Sequence, residues 1–204
     1  STAGMMLTAV HRDMEEDEPL AHQLNRQAYS GRGEFALRFA GGRYAVDGFV
    51  AFSLLHGEEG ALARVQRSSA QYFQRPDADH VEFDSTRTWL GGYAFLVQFK
   101  KRGGEHWLWE VAGRMESPGL NFNDLGLTFT SDDIETWAKL IYRENAPSRL
   151  FQNYWISLRL FPKWNYGWAH DSSEAELSVF HTWRNFTSQL MHQHLHSIAD
   201  TKDR

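Results

Sequence analysis

The sequence contains no cysteine, so it can form neither a disulfide nor a thiolate metal site. It has no run of about 18 consecutive apolar residues, the length that a transmembrane helix needs. With a net charge of -5 at pH 7 and a pI near 6.0, it offers no basic surface for phosphates, and we expect no nucleic-acid partner. Residues 1–6 lack the basic and apolar regions of a signal peptide, so any export signal is expected upstream.

Apolar and aromatic side chains are nevertheless abundant in a sequence that is polar on average. Hydrophobic residues make up 42% and aromatic residues 14%, while the mean hydropathy is -0.54. A membrane β-barrel exposes only alternate residues of each strand to lipid, so it can combine these properties. A helical membrane protein cannot, because its spanning segments are apolar throughout.

Regular alternation of apolar and polar residues predicts β-strands along the chain. In residues 33–39, Phe35, Leu37 and Phe39 alternate with other residues, and the glycines at 41–42 supply the positive φ angles of a tight hairpin turn. Eight more segments are predicted as strands on similar grounds. They are residues 5–10, 43–56, 88–100, 106–115, 134–143, 150–162, 175–183 and 186–198.

Two segments also allow a helix. Residues 58–73 are rich in Ala, Leu, Arg, Gln and Ser, which favours a short helix within a loop. Residues 186–198 are compatible with a helix as well as with a strand. The total of nine predicted strands is odd, whereas bacterial single-chain barrels normally have an even number. We therefore expect further strands outside this chain, which would be a fragment of a longer protein.

The predicted connections alternate in length along the chain. They are long at 12–32, short at 41–42, long at 57–87, short at 101–104, long at 116–133 and short at 144–149. An outer-membrane barrel has short periplasmic turns and longer outer loops, so its connections alternate in this way. A soluble β-sandwich has no such requirement.

These patterns predict an all-β fold, an antiparallel up-and-down meander that forms part of an outer-membrane β-barrel, as one partial domain over residues 1–204. Trp, Phe, Leu and Val side chains are expected to face lipid, with aromatic residues near strand ends as in interface girdles. The residues expected to face a polar lumen are Glu34, Arg38, Gln98, His106, Glu110 and Arg114. The alternative is a soluble β-sandwich that binds glycans through its aromatic residues.

One string of residues is distinctive, the ARVQRSSAQYFQRPDAD of 63–79 followed by DSTRT at 84–88. Together with GMMLTAVHRD at 4–13 and GGEHW at 103–107, it resembles an uncharacterised family of large bacterial surface proteins. In that family an amino-terminal carbohydrate-binding domain of the family-9 type precedes a carboxy-terminal outer-membrane β-barrel, and this chain resembles part of the barrel. The resemblance implies a bacterial outer-membrane location, contact with outer-membrane lipid, an upstream carbohydrate-binding domain and a carbohydrate-like ligand.

Candidate ligand-binding residues lie in two predicted outer loops. The first set has the chemistry to stack on a sugar face and to bond its hydroxyls: Arg67, Ser68, Ser69, Tyr72, Phe73, Gln74, Arg75 and Asp77. The alternative is that this loop folds over the barrel mouth or plugs the lumen. Asn123 and Asp124 could lie beside a ligand or calcium, although Asn and Asp are also ordinary turn formers.

Three histidines recur at every second position, His192, His194 and His196. On a strand all three point the same way, but same-face neighbours lie roughly 6.5–7 Å apart, which is wide for one ion without further ligands. On a helix, His192 and His196 could share an ion. A metal-dependent enzyme that uses this cluster is therefore a second alternative. No catalytic motif occurs in a supporting context, so we expect a non-catalytic protein without a cofactor.

Overall fold

A computed structural model describes residues 1–14, 18–75, 78–124 and 130–198. In these residues the chain is all-β, with nine antiparallel strands in one sheet whose order follows the chain. The strands are β1 (Thr2–His11), β2 (Gln27–Phe39), β3 (Tyr44–His56), β4 (Trp89–Lys101), β5 (Trp107–Glu116), β6 (Asp133–Glu144), β7 (Phe151–Trp164), β8 (His170–Trp183) and β9 (Ser188–Ile198). One helix, α1 (Glu59–Gln66), lies between β3 and β4. The predicted antiparallel meander is confirmed, whereas a sandwich needs two packed sheets.

Most predicted strand bounds lie within three residues of the observed ones, but the starts of β2 and β8 and both helical interpretations differ. β2 begins at Gln27 rather than at 33, and β8 begins at His170 rather than at 175. Residues 188–198 form a strand, so the helical interpretation of that segment is wrong. The predicted loop helix is present but ends at Gln66, and the residues after it form turns.

The two ends of the sheet differ in their connections. At the turn end the connections are residues 40–43, 102–106, 145–150 and 184–187. At the loop end they are residues 12–26, 57–88, 117–132 and 165–169. The predicted alternation is confirmed for the first six connections. The seventh, 165–169, lies at the loop end but is short, because β8 begins earlier than its apolar pattern indicates.

One face of the sheet is apolar and exposed. The register aligns its residues across strands, with Val50 opposite Phe95, and Leu158 opposite both Leu140 and Leu177. This surface is called the apolar face. Its exposed members include Val50, Phe52, Tyr93, Val97, Trp107, Val111, Leu140, Leu158 and Leu177.

The opposite face, called the polar face, carries charges that pair between strands. Lys100 Nζ lies 3.3 Å from an oxygen of Asp47 and 3.9 Å from one of Glu110, which joins β3, β4 and β5. Arg159 and Glu176 pair at 3.3 Å between β7 and β8. The register places Glu34, Arg38, Gln98, Glu110 and Arg114 together on this face, while a lumen beside them stays a prediction. His106 precedes β5 and contacts Glu144 at 3.4 Å.

Near the loop end, the polar face becomes a packed core. Leu55 and Leu90 of the sheet, with Ala28, pack against Leu62 of α1 and Phe73 of the following loop. Small strand residues leave room for these loop side chains, so the connection can lie against the sheet. The connection between β5 and β6 packs in the same way, through a second cluster around Leu120.

The second connection lies directly against the sheet at Gly92, where there is no room for a side chain. A Cβ at Gly92 would lie 2.1 Å from the backbone nitrogen of Leu120. Gly92→Ala is therefore expected to lower the free energy of unfolding by about 1–3 kcal/mol, because the loop backbone must move. Equilibrium urea denaturation measures the change. Gly113→Ala is the matched control, because nothing lies within 4 Å of its added Cβ. Equal losses in both variants would show that the loop does not lie against Gly92.

Candidate ligand-binding site

The predicted sugar-binding residues of the β3–β4 connection divide into buried and exposed positions. Phe73 and Arg75 are buried, Ser68 and Tyr72 are half-buried, and the exposed ones are Arg67, Ser69 and Gln74. Asp77 lies outside the described residues. The buried members contact the protein itself, so the exposed residues offer the most side-chain surface to a ligand.

Contacts within this connection use several of its polar groups. The Arg67 guanidinium lies 4.5 Å from the centroid of the Phe83 ring. Ser68 Oγ donates to Gln71 Oε1 at 2.7 Å. The Phe73 amide donates to the Gln66 carbonyl at 2.9 Å. These contacts fit the interpretation of the connection as a loop that packs on itself and on the sheet.

Gln71 connects this loop to the next one and to the sheet. Its Nε2 donates to the Leu120 carbonyl at 2.7 Å, and its Oε1 accepts from Asn121 Nδ2 at 3.1 Å. The backbone N–H of Asn121 in turn donates to Ser53 Oγ of β3 at 2.9 Å. Because buried polar groups are costly without partners, this chain of hydrogen bonds fixes how the two loops lie on the sheet.

The Asp132 carboxylate contacts residues of two other connections at the loop end, so it joins three connections. Its carboxylate is fully buried and contacts the Arg75 guanidinium. His80 Nε2 lies 2.9 Å from Oδ1, and the Tyr166 amide donates to the same oxygen at 3.1 Å. Asp132 has a φ of 68°, which is unusual for a residue other than glycine, so tertiary contacts must hold its backbone. Burial also raises the pKa of the Tyr166 phenol.

Asp124 has a similar bridging role toward the first connection. Its Oδ1 lies 2.8 Å from Arg12 Nη2, and its Oδ2 accepts a hydrogen bond from Asn25 Nδ2. The neighbouring Asn123 is exposed, and its amide donates to Asn121 Oδ1 at 2.9 Å. The structure thus places Asp124 in contacts between loops, and its role toward a ligand or calcium stays a prediction.

A cavity of about 660 Å³ lies on the polar face. Residues of β1 through β7 line it, from Met6 and Thr8 to Phe161. Because seven successive strands surround one cavity, the sheet must curve around it. Its lining includes four aromatic residues and three arginines, which are Phe49, Phe122, Trp137, Phe161, Arg32, Arg114 and Arg159.

The charges around this cavity are compensated by neighbours. Arg114 pairs with Glu135 at 3.3 Å and also contacts Glu116. Trp137 Nε1 donates to Glu110 Oε1 at 2.5 Å. The cavity therefore offers aromatic rings beside polar groups that already have partners, an arrangement suited to a neutral ligand with many hydroxyl groups.

Two arginine guanidinium groups in the cavity wall lie over aromatic rings. The Arg32 guanidinium lies 3.9 Å from the centroid of the Phe49 ring, and that of Arg159 lies 5.1 Å from the centroid of Phe161. Trp137 and Phe161 lie with ring centroids 6.0 Å apart. These stacked groups hold the aromatic faces in place along the wall.

The three histidines of β9 lie together on the polar face, as the strand interpretation predicts. His192 Nδ1 lies 2.8 Å from Ser178 Oγ. His194 Nε2 lies 3.2 Å from Oε2 of Glu174, and His196 Nε2 lies 3.8 Å from Oε1 of the same residue. The sequence pattern identified the histidines but not the glutamate opposite them.

The described part of the chain has no helix that is both long and apolar enough to cross a membrane.

Comparison with known proteins gives a family without a described activity. No curated protein and no solved structure matches the chain. The family described as "Domain of unknown function (DUF5916)" matches residues 59–202, from α1 through β9. Since the match covers more than half of the sequence, the chain belongs to the DUF5916 family.

Proposed function

We propose that this chain is part of an outer-membrane β-barrel that binds or passes a carbohydrate-like ligand and has no catalytic activity. The observation that carries the proposal is the separation of the sheet into one exposed apolar face and one charged face that surrounds a cavity. Transmembrane barrels have this arrangement, because their outer surface contacts lipid while their interior is polar.

The extent of the apolar face supports contact with lipid. Exposed apolar residues occur on every strand from β3 through β8, as the residues named for the apolar face show. Soluble monomers rarely expose a contiguous apolar patch larger than a few hundred Å². The strands are also long enough, because β3 and β4 have 13 residues each and a tilted membrane strand needs about 9–11.

Aromatic rings at the turn end support a membrane interface there. Tyr44 and Phe99 stack with ring centroids 6.3 Å apart, and Phe99 contacts Trp109 at 4.9 Å. Further along the same end, Phe151 and Trp183 lie 4.8 Å apart. These residues belong to the apolar face where strands meet short turns, the position of the aromatic girdle in known barrels.

The proposed ligand site has two parts at different depths. Exposed Arg67, Ser69 and Gln74 lie in a loop-end connection, where a ligand from outside would arrive first. The cavity with Trp137 and Phe161 lies on the polar face of the sheet. A polyhydroxylated ligand is favoured because aromatic faces and polar groups alternate along its wall.

We further propose an upstream carbohydrate-binding domain, which the resemblance to the surface-protein family implies, acting on the same class of ligand at the cell surface. The ligand would then reach this chain from the loop end, where the long connections lie. No nucleic acid is expected as a partner, since the net charge is -5.

The membrane part of the proposal is tested by size-exclusion chromatography and circular dichroism of the chain, first in plain buffer and then in detergent. We expect association in buffer and a monodisperse β-structured species in detergent, because the apolar face needs a covering. A monomer that melts cooperatively without detergent would refute contact with lipid.

The ligand part is tested by calorimetric titration with neutral oligosaccharides of glucose and xylose. We expect saturable binding of at least one of them, weakened tenfold or more by Trp137→Ala, about 1.4 kcal/mol. Trp107→Ala is the matched control, because Trp107 lies on the apolar face and should not affect affinity. If none of the oligosaccharides binds, or if both variants weaken binding equally, the cavity is not a carbohydrate site.

A further inference from the structure

Four side chains of two neighbouring strands converge on the polar face near the far edge of the sheet. Glu174 and Glu176 lie on β8, and His196 and His194 lie directly opposite them on β9. Residues opposite each other in an antiparallel pair have Cβ atoms about 4.5–5.5 Å apart, so two such rows form a small square. The square contains two carboxylates and two imidazoles.

The donor atoms of this square are already close together. Nε2 of His194 lies 3.2 Å from Oε2 of Glu174, and Nε2 of His196 lies 3.8 Å from its Oε1. One ligand atom each from Glu174, Glu176 and His194 all lie within 4.8 Å of one another. Two ligands bound tetrahedrally to zinc at about 2.0–2.1 Å are roughly 3.3 Å apart. Glu174, Glu176 and His194 therefore lie close to the spacing of zinc ligands, and His196 adds a fourth donor beside Glu174.

We propose that Glu174, Glu176, His194 and His196 bind one divalent transition-metal ion of the zinc class. Carboxylate oxygens and imidazole nitrogens are the ligands that zinc and its neighbours accept from proteins without cysteine. The two carboxylates also balance the double positive charge of the ion. Arg159 lies 3.3 Å from Glu176 and holds this carboxylate as an outer-shell contact.

The two glutamates of β8 supply the ligands that the histidines of β9 lack by themselves. The ring centroids of His194 and His196 lie 5.8 Å apart, so the two imidazoles need further ligands to enclose one ion. Glu174 on β8 contacts both imidazoles, one through each carboxylate oxygen. The neighbouring strand therefore supplies the ligands that the histidine pattern lacks.

His192 shares the strand and the face but is not part of the site. It lies opposite Ser178, and its Nδ1 is 2.8 Å from the serine hydroxyl. Its ring centroid is 6.4 Å from that of His194. His192 is therefore a matched control, since it is an exposed histidine like the two proposed ligands.

The test is calorimetric titration of the full folded chain with zinc chloride, followed by Co²⁺ binding observed through its visible absorption. We expect one ion per chain and a Co²⁺ spectrum typical of low coordination number. Glu174→Gln and His194→Ala should each weaken zinc binding by at least tenfold and abolish that spectrum, because each removes a direct ligand. His192→Ala should change affinity less than twofold.

Absence of saturable zinc uptake by the parent chain would overturn the site, and so would unchanged affinity in the double variant Glu174→Gln/His194→Ala. A loss in His192→Ala as large as that in His194→Ala would show that the histidines bind zinc only as a flexible cluster. Circular dichroism of each variant checks that the β content of the parent chain is kept. The proposal is independent of the membrane assignment, because the titration needs only a folded chain.

Discussion

Replacement of Asp132 by alanine is expected to destabilise the folded chain by about 3–5 kcal/mol, because it leaves a buried cation without its counter-charge. The Arg75 side chain is only 1% exposed, and Asp132 is its carboxylate partner. Nε and Nη1 of Arg75 have no hydrogen-bond partner within the described ranges, so little else compensates its charge. His80 and the Tyr166 amide lose the same acceptor.

The measurement is equilibrium urea denaturation of the chain folded in detergent micelles. Asp79→Ala is the matched control, because Asp79 is an exposed carboxylate of the β3–β4 connection, and such a surface change usually costs within about 0.5 kcal/mol. In a double-mutant cycle, Arg75→Ala combined with Asp132→Ala should cost less than the sum of the two single changes. Equal losses for Asp132→Ala and Asp79→Ala would contradict the bridging role of Asp132.

The strands that sequence patterns predict best are those with large apolar side chains at alternate positions. β3 and β4 are of this kind, and none of their observed bounds differs from the predicted one by more than one residue. The start of β2 was missed because Gly31 interrupts the pattern. In the structure, neighbours fill the space above Gly31, since an added Cβ would lie 2.3 Å from the Phe52 ring. The apolar surface there belongs to the adjacent strands.

The early start of β8 was missed for a different physical reason. Residues 170–174 are polar on both faces, and their strand conformation depends on pairing with β7. Lys163 of β7 contributes to this pairing with a contact to Asp171 at 3.6 Å. A strand held by its partner's charge has no apolar alternation of its own, so its sequence resembles a loop.

The contacts between loops could not be predicted from spacing. Asp132 lies 57 residues from Arg75 along the chain, and Asp124 lies 99 residues from Asn25. Nothing local distinguishes these carboxylates from ordinary turn formers, because their role arises only when separate connections meet at one end of the sheet. The histidines of β9 are an intermediate case. Their shared face follows from the period of a strand, whereas Glu174 opposite them follows from register.

Val50→Arg is expected to destabilise the chain in phospholipid vesicles by about 2–4 kcal/mol, the cost of an arginine near the bilayer midplane on a barrel's outer surface. Val50 lies at the centre of β3 on the apolar face and is 62% exposed. In water, an arginine at so exposed a position costs little, since its charge stays hydrated. The size of the effect therefore reports whether lipid or water covers this face.

Leu150→Arg is the matched control, because Leu150 is 60% exposed but lies in the turn between β6 and β7. Urea titrations in vesicles, followed by tryptophan fluorescence, give the free energy of unfolding for both variants. A loss confined to Val50→Arg places the centre of β3 in the hydrocarbon and the turn outside it. Equal and small losses would mean that water covers both positions, and the apolar face would then have to be covered by protein instead of lipid.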